Sequence, residues 1–213
     1  KTGDKKSTQE LEMLKDLFEF ISSGQSARNY DLNDDLKSLV SDLHLLTIKP
    51  VLYVCNVDEK NAASGNEYTE RFIQTVEKEN GFYLIISAAI ESEISEFDSY
   101  EERQIFLEDI GLNASGLNKL IKSSYSLLNL ITFFTAGKQE VRAWTIRKET
   151  KAPASAGVIH TDFERGFIKA EVISYNDFEN LGSEQICKEK GKMRLGGKEY
   201  VVSDGDIMHF KFN

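Results

Sequence analysis

Proline and cysteine are almost absent: two of each occur in 213 residues, beside one tryptophan and three histidines. Cys55 and Cys187 lie far apart and form no C-x-x-C pair, which excludes a disulfide framework and a cysteine zinc site and points to a reducing, cytoplasmic setting. His44, His160 and His209 are scattered without H-E-x-x-H or any ligand spacing, so a histidine metal centre is not expected either. The longest apolar stretch, Leu127 to Ala136, is about ten residues, broken by Asn129 and Thr132, and is too short to span a bilayer as a helix. A nucleotide-phosphate cradle is missing too. Three Gly-Lys pairs occur, at Gly137, Gly191 and Gly197, but none is followed by Ser or Thr as G-x-x-x-x-G-K-[ST] requires. No D-x-x-G and no G-x-S-x-G is present, so neither a magnesium-holding switch nor a serine nucleophile elbow is encoded here.

What the chain does have is acid, unevenly spread. Against 26 Lys and Arg stand 35 Asp and Glu, a net charge of −9. Residues 1–129 carry 13 basic and 23 acidic side chains, residues 130–213 carry 13 and 12, so net charge changes from −10 to +1 along the chain. Two units are expected, and only the second meets a polyanion without a repulsive field. An apolar content of 40% supports one mid-sized core or two small ones and excludes a disordered tail. Residue 1 is Lys rather than Met and a helical pattern starts almost at once, so the chain is expected to begin inside a longer protein.

Ser7 with Glu10 has capping-box spacing, and Leu11, Leu14, Phe18 and Ile21 follow at helical intervals before Gly24. Asn33 is placed to cap a second helix carrying Leu36, Val40, Leu43 and Leu46, so residues 1–46 read as a helical hairpin. Val51-Leu52-Tyr53-Val54-Cys55 is a continuous apolar run of strand length, the pattern of a strand buried on both faces. An amphipathic helix from about Asn66 to Glu79 and a second apolar run, Phe82 to Ile86, complete a parallel βαβ unit within residues 47–129. Ser99 with Glu102 caps a helix to about Ile110, and Leu117 to Leu128 marks another. From residue 130 the texture is β-rich. Strands at Ile131 to Phe134 and Val141 to Arg147, a turn at Ala136-Gly137, a short helix after Pro153, a strand at Phe167 to Ser174 and a closing hairpin through Ser203-Asp204-Gly205-Asp206 give a small β-grasp sheet. His160-Thr161-Asp162, although it resembles an acid–base pair, reads as a helix cap.

Chemistry concentrates at the strand ends. Asn56-Val57-Asp58-Glu59 follows the first buried strand and Ser87-Ala88-Ala89 the second, and in parallel sheets ligands bind at these carboxyl ends. An asparagine amide with a carboxylate three residues on presents donors and acceptors suited to a purine edge, and the Ser-Ala-Ala turn would add backbone N–H donors. Both segments also read as ordinary strand-to-helix turns. Lys188, Lys190, Lys192, Arg194 and Lys198 form a basic run suited to RNA, or equally a solvated face.

The stretch from Leu46-Thr47-Ile48-Lys49-Pro50 to Val57-Asp58-Glu59 is one carrier of a family likeness; others are Phe133-Phe134-Thr135-Ala136-Gly137, Val141-Arg142-Ala143-Trp144-Thr145, Gly157 to Glu164 and Asp204-Gly205-Asp206. Together they resemble the YchF / Obg-like ATPase family along essentially the whole chain. The resemblance implies an α/β plus α+β architecture: part of a helical hairpin insertion (1–46), the C-terminal part of a P-loop G domain (47–129) and a β-grasp TGS domain (130–213). It implies a ribosome-associated ATPase that prefers ATP to GTP, with Asn56, Val57, Glu59, Ser87, Ala88 and Ala89 at the base and Mg2+ held by ligands outside this chain. In place of the N-K-x-D of ordinary GTPases, Val57 lacks the lysine stem that covers the base, and Glu59 carries its carboxylate about one methylene further out. The partners implied are ATP and the ribosome, its large subunit or RNA, without a membrane. This fragment alone is expected to be inactive. Two other readings stand beside it: a non-enzymatic RNA- or ribosome-binding module, and a TGS-bearing GTPase.

Overall fold

The computed structural model describes residues 5–137 and 140–213. Two compact units divide between Ile121 and Lys122.

In the first unit, α1 (Lys5–Ser22) and α2 (Asp34–Ser41) share a core of Leu17, Ala27, Leu36 and Val40. Asn33 caps α2 as expected, its Oδ1 accepting the Leu36 N–H at 2.8 Å. Ser7 does not cap: α1 already runs from Lys5, so Ser7 lies within the helix. α2 stops at Ser41, leaving Leu43 and Leu46 beyond its end, 53% and 80% exposed.

β1 (Leu52–Asn56) and β2 (Phe82–Ile86) form a two-stranded parallel sheet joined through α3 (Glu67–Lys78), which is capped by an Asn66–Thr69 box. The sequence suggests that β1 is buried on both faces, but Val54 is 42% exposed. With two strands, this sheet gives its central residues fewer neighbours than a wide sheet would. α4 (Ala88–Glu96) and α5 (Tyr100–Asp109) close a small core of Ile90, Ile94 and Leu107, and Ser99 and Glu102 form the expected capping box.

α6 (Gly116–Leu127) is begun by a residue that pattern reading passed over. Glu91 accepts the Gly116 N–H on Oε1 at 2.5 Å and the Leu117 N–H on Oε2 at 3.1 Å, so one carboxylate satisfies two free donors at the positive end of a helix. Gly116 is required for that approach, because a Cβ there would stand 2.8 Å from Ile86 Cγ2. Replacing Glu91 by Ala is expected to lower stability by about 1–2 kcal/mol, within the range of a lost N-terminal cap, as read from denaturant unfolding.

The second unit is a five-stranded mixed sheet in the order β4-β3-β7-β5-β6, from β3 (Leu130–Ala136), β4 (Val141–Arg147), β5 (Phe167–Ser174), β6 (Arg194–Gly196) and β7 (Asp206–Phe212). β3 and β7 run parallel at its centre and the other neighbours are antiparallel. Alternate residues Phe133, Val172 and Met208 pack against α7 (Ala152–Ile159), with Ala152 and Ala156 small enough to let the helix sit close. Pro153 falls in the first turn of α7, where its missing N–H is harmless. The turn expected at Ala136-Gly137 continues into residues 138 and 139, which lie outside the described residues; Gly137 N–H donates to Glu140 O at 2.9 Å.

α8 (Thr161–Arg165) opens with His160, whose Nδ1 accepts the Asp162 N–H at 3.2 Å, so the His160-Thr161-Asp162 segment caps a helix. Pattern reading missed α9 (Tyr175–Leu181) and α10 (Glu184–Glu189), both too short to show helical periodicity. It also misjudged the closing hairpin. Ser203 to Asp206 joins an isolated bridge at Val201 to β7, and β7 pairs with β5 and β3 rather than with the strand preceding it.

Candidate functional site

The carboxyl ends of β1 and β2 are level, with Asn56 opposite Ile86. Two bonds stitch the segments beyond: Val57 N–H donates to Ile86 O at 2.9 Å, and Ala88 N–H donates to Asn56 Oδ1 at 3.0 Å. Asn56 is therefore oriented by its acceptor end, and its Nδ2 donors face solvent without a protein partner. The Ala88 N–H, read from the sequence as a donor to a ligand, is already engaged by Asn56. The free donors of the α4 first turn are those of Ala89 and Ile90, since the opening N–H groups of a helix have no intrahelical acceptor.

Asp58 faces inward on its own turn: its carboxylate accepts from the Asn61 N–H at 3.1 Å and from Asn61 Nδ2. It is thus a cap for a short 3-10 turn over Glu59–Asn61. Glu59 is exposed, its carbonyl accepts the Ala62 N–H at 3.3 Å and its carboxylate makes no intramolecular hydrogen bond or ion pair, and Val57 is half-buried. Ser87 is only 3% exposed, yet its Oγ is the one buried side-chain polar atom among the described residues with no hydrogen-bond partner. Such a group costs about 1–3 kcal/mol of desolvation while nothing meets it, and native structures keep few of them. Close by in β1, burial pushes the Cys55 thiol up, away from the reactive thiolate. Both cysteines are free.

The five cations of the basic run do not act as one patch. Lys192 Nζ sits 3.0 Å from Asp177, and Arg194 lies 3.7 Å from Asp206, which is buried in the unit. The Ser174 hydroxyl, and then Lys192, hold the Asp177 carboxyl below the usual carboxylate range. Lys188, Lys190 and Lys198 are exposed and make no ion pair. Asp206 was not singled out from its sequence pattern as a structural centre. Its Oδ2 accepts from Tyr200 OH at 2.7 Å and Ser203 N–H at 2.9 Å. Among the described residues no three His, Cys, Asp or Glu side chains converge as metal ligands.

Residues 130–213 match the family model YchF-GTPase_C, described as a protein of unknown function (DUF933). The chain is 51% identical to the ribosome-binding ATPase YchF of Bacillus subtilis (strain 168), over all of this chain and 58% of the relative. It is 44% identical to the Obg-like ATPase 1 of Rattus norvegicus, over 99% of this chain and 54% of that protein. The solved structure of the Schizosaccharomyces pombe YchF GTPase superposes with a TM-score of 0.86 at 35% identity, covering 97% of this chain and 55% of the other. The chain thus spans little more than half the length of these relatives. With the likeness running through both units, the chain belongs to the YchF / Obg-like ATPase family.

Proposed function

We propose that this chain supplies the nucleotide-base contacts and a TGS module to a ribosome-associated ATPase. The observation that carries the reading is the stitched strand-end site: Asn56 latched by Ala88 with its Nδ2 donors outward, exposed Glu59, and the unpartnered Ser87 Oγ beneath. Asn56 Nδ2 would donate to a ring nitrogen of the purine and Glu59 would accept from an exocyclic amino group. Without a lysine stem at Val57, and with the longer Glu59 arm in place of aspartate, the paired grip on guanine's two N–H donors is weakened and adenine is favoured. The first helices then correspond to part of the hairpin insertion, the βαβ unit to the end of a G domain, and the second unit to the TGS domain. Its strand order, with the first and last strands parallel at the centre, supports a β-grasp assignment. Magnesium would accompany ATP in the parent, on ligands contributed from outside this chain, and a cytoplasmic location fits the same reading.

Two measurements test it. In the parent protein, Val57→Lys with Glu59→Asp is expected to move the ATP/GTP affinity ratio toward GTP by about tenfold, the scale of one hydrogen bond to a charged group; an unchanged ratio in paired titrations removes the base assignment. The isolated 213-residue chain is expected to show no magnesium-dependent phosphate release above a buffer blank.

Ribosome contact is assigned to the second unit, through the exposed lysines. A Lys188, Lys190, Lys198→Ala composite leaves the Lys192–Asp177 and Arg194–Asp206 pairs intact. It is expected to bind ribosomes more weakly and with a shallower salt slope, because fewer counterions are released. Co-sedimentation equal to that of the unaltered parent at every salt concentration would return these lysines to a solvated face.

A further inference from the structure

The second unit holds a cleft of about 550 Å³ that the proposal above leaves unused. Its lining is rich in flat aromatic surface. The Phe163 and Phe212 rings stack at 3.8 Å between centroids and 22° between planes, and Trp144 and Phe210 also line the cleft. The indole is held in place by its Nε1–H, which donates to Thr135 Oγ1 at 2.9 Å, leaving the threonine hydroxyl proton free for another acceptor. Arg142 lies over the Trp144 ring, 4.2 Å from its centroid, and 4.0 Å from the Glu140 carboxylate.

This lining selects by charge and shape. Among the described residues that line the cleft there is no Lys or Arg, so an anion buried there would meet no counter-charge from them. The carboxylate among them, Glu140, already faces Arg142, so an incoming cation would compete with an existing pair. A neutral flat ring fits best, and Thr135 and Glu140 give its edge one donor and one acceptor. An aromatic peptide side chain such as phenylalanine would use neither. Arg142, 55% exposed, stands beside the cleft, where a phosphate outside it would compete with Glu140 for the guanidinium.

We infer that this cleft takes an unpaired nucleobase of single-stranded RNA, stacked on the aromatic wall. The inference rests on the ribosome-associated reading for its choice of partner. Sequence-tolerant stacking of this kind is how aromatic platforms hold single strands.

The test uses the only tryptophan in the chain as its reporter. Titrating the 213-residue chain with an oligoadenylate hexamer should quench Trp144 fluorescence saturably. An abasic oligomer of equal length, a duplex and free adenosine should each bind at least about fivefold more weakly, and Phe163→Ala should weaken the hexamer by a similar factor, the scale of one lost stack. If Phe163→Ala fails to fold, the comparison of the hexamer with the abasic oligomer on the unaltered chain decides by itself. Absence of saturable quenching overturns the inference. So does equal quenching by the abasic oligomer, equal affinity for free adenosine, or quenching by a phenylalanine peptide in place of RNA. Ribosome co-sedimentation of the parent is measured separately: if it persists while base-dependent quenching is absent, the inference falls and the broader reading stands, whereas loss of co-sedimentation removes that reading whatever the quenching shows.

Discussion

Replacing Asp206 by Ala is expected to cost the second unit about 3 kcal/mol, the sum of two hydrogen bonds to a charged acceptor that is itself buried. For a unit of this size that is on the order of 15 °C in Tm, measured by the fluorescence of Trp144, which lies in that unit. The cause is how much converges on one turn. Asp206 is 1% exposed and binds Tyr200 OH and Ser203 N–H, with Arg194 outside it. The same turn gives Thr132 N–H an acceptor in Asp204 at 2.8 Å, and Gly205 bonds both Thr132 and Tyr175 through its backbone. Gly205 stands at φ +80°, where a side chain would be strained. Asp206→Asn keeps an oxygen for Tyr200 and Ser203 but turns an amide toward Arg194, so its loss should be about 1 kcal/mol. Equal melting of the unaltered chain and Asp206→Ala would mean that the turn is held by its backbone bonds alone.

The same network has a pH signature. Burial, and then the hydrogen bond to Asp206, push the Tyr200 hydroxyl up from 10.0 to about 12. A folded-state value above the unfolded one favours the protonated tyrosine, so this contribution is complete below about pH 10 and is lost as pH rises from 10 toward 12. Absorbance titration should therefore show one of the eight tyrosines ionising late in the native chain and moving earlier in Asp206→Ala.

What was readable in the sequence depended on how local its cause was. The caps at Asn33 and Ser99, the strand Phe82–Ile86 and the strands Val141–Arg147 and Phe167–Ser174 follow from short-range pattern and stand where the spacing puts them. The Asn56 and Ser87 segments could likewise be placed at neighbouring strand ends from the βαβ pattern alone. Their bonding could not: that Asn56 would hold the Ala88 N–H and that Asp58 would turn back on Asn61 are matters of side-chain direction across 32 and three residues. Burial was also out of reach. An apolar run reads the same in a wide sheet as in the two-stranded sheet that leaves Val54 exposed. In the sequence Lys192 and Arg194 are equivalent to Lys188 and Lys190; only the fold sets Asp177 and Asp206 against them, one 15 residues back in the chain and the other 12 residues on.

Asn56 carries two functions that a pair of substitutions separates. Its Oδ1 is a structural acceptor for Ala88 N–H, while its Nδ2 is the proposed donor to the purine. In the parent protein, Asn56→Asp keeps the acceptor and removes the donor. Nucleotide affinity is therefore expected to fall by roughly tenfold to a hundredfold, the scale of one or two lost polar contacts, with little change in melting temperature. Asn56→Ala removes both, and should add to that loss a destabilisation of about 1 kcal/mol as Ala88 N–H gives up its partner. The order matters more than the size. If Asn56→Asp binds ATP as the unaltered parent does while Asn56→Ala does not, the residue acts by holding the two strand ends together, and the base is read by Glu59 or by the free N–H groups of Ala89 and Ile90 instead.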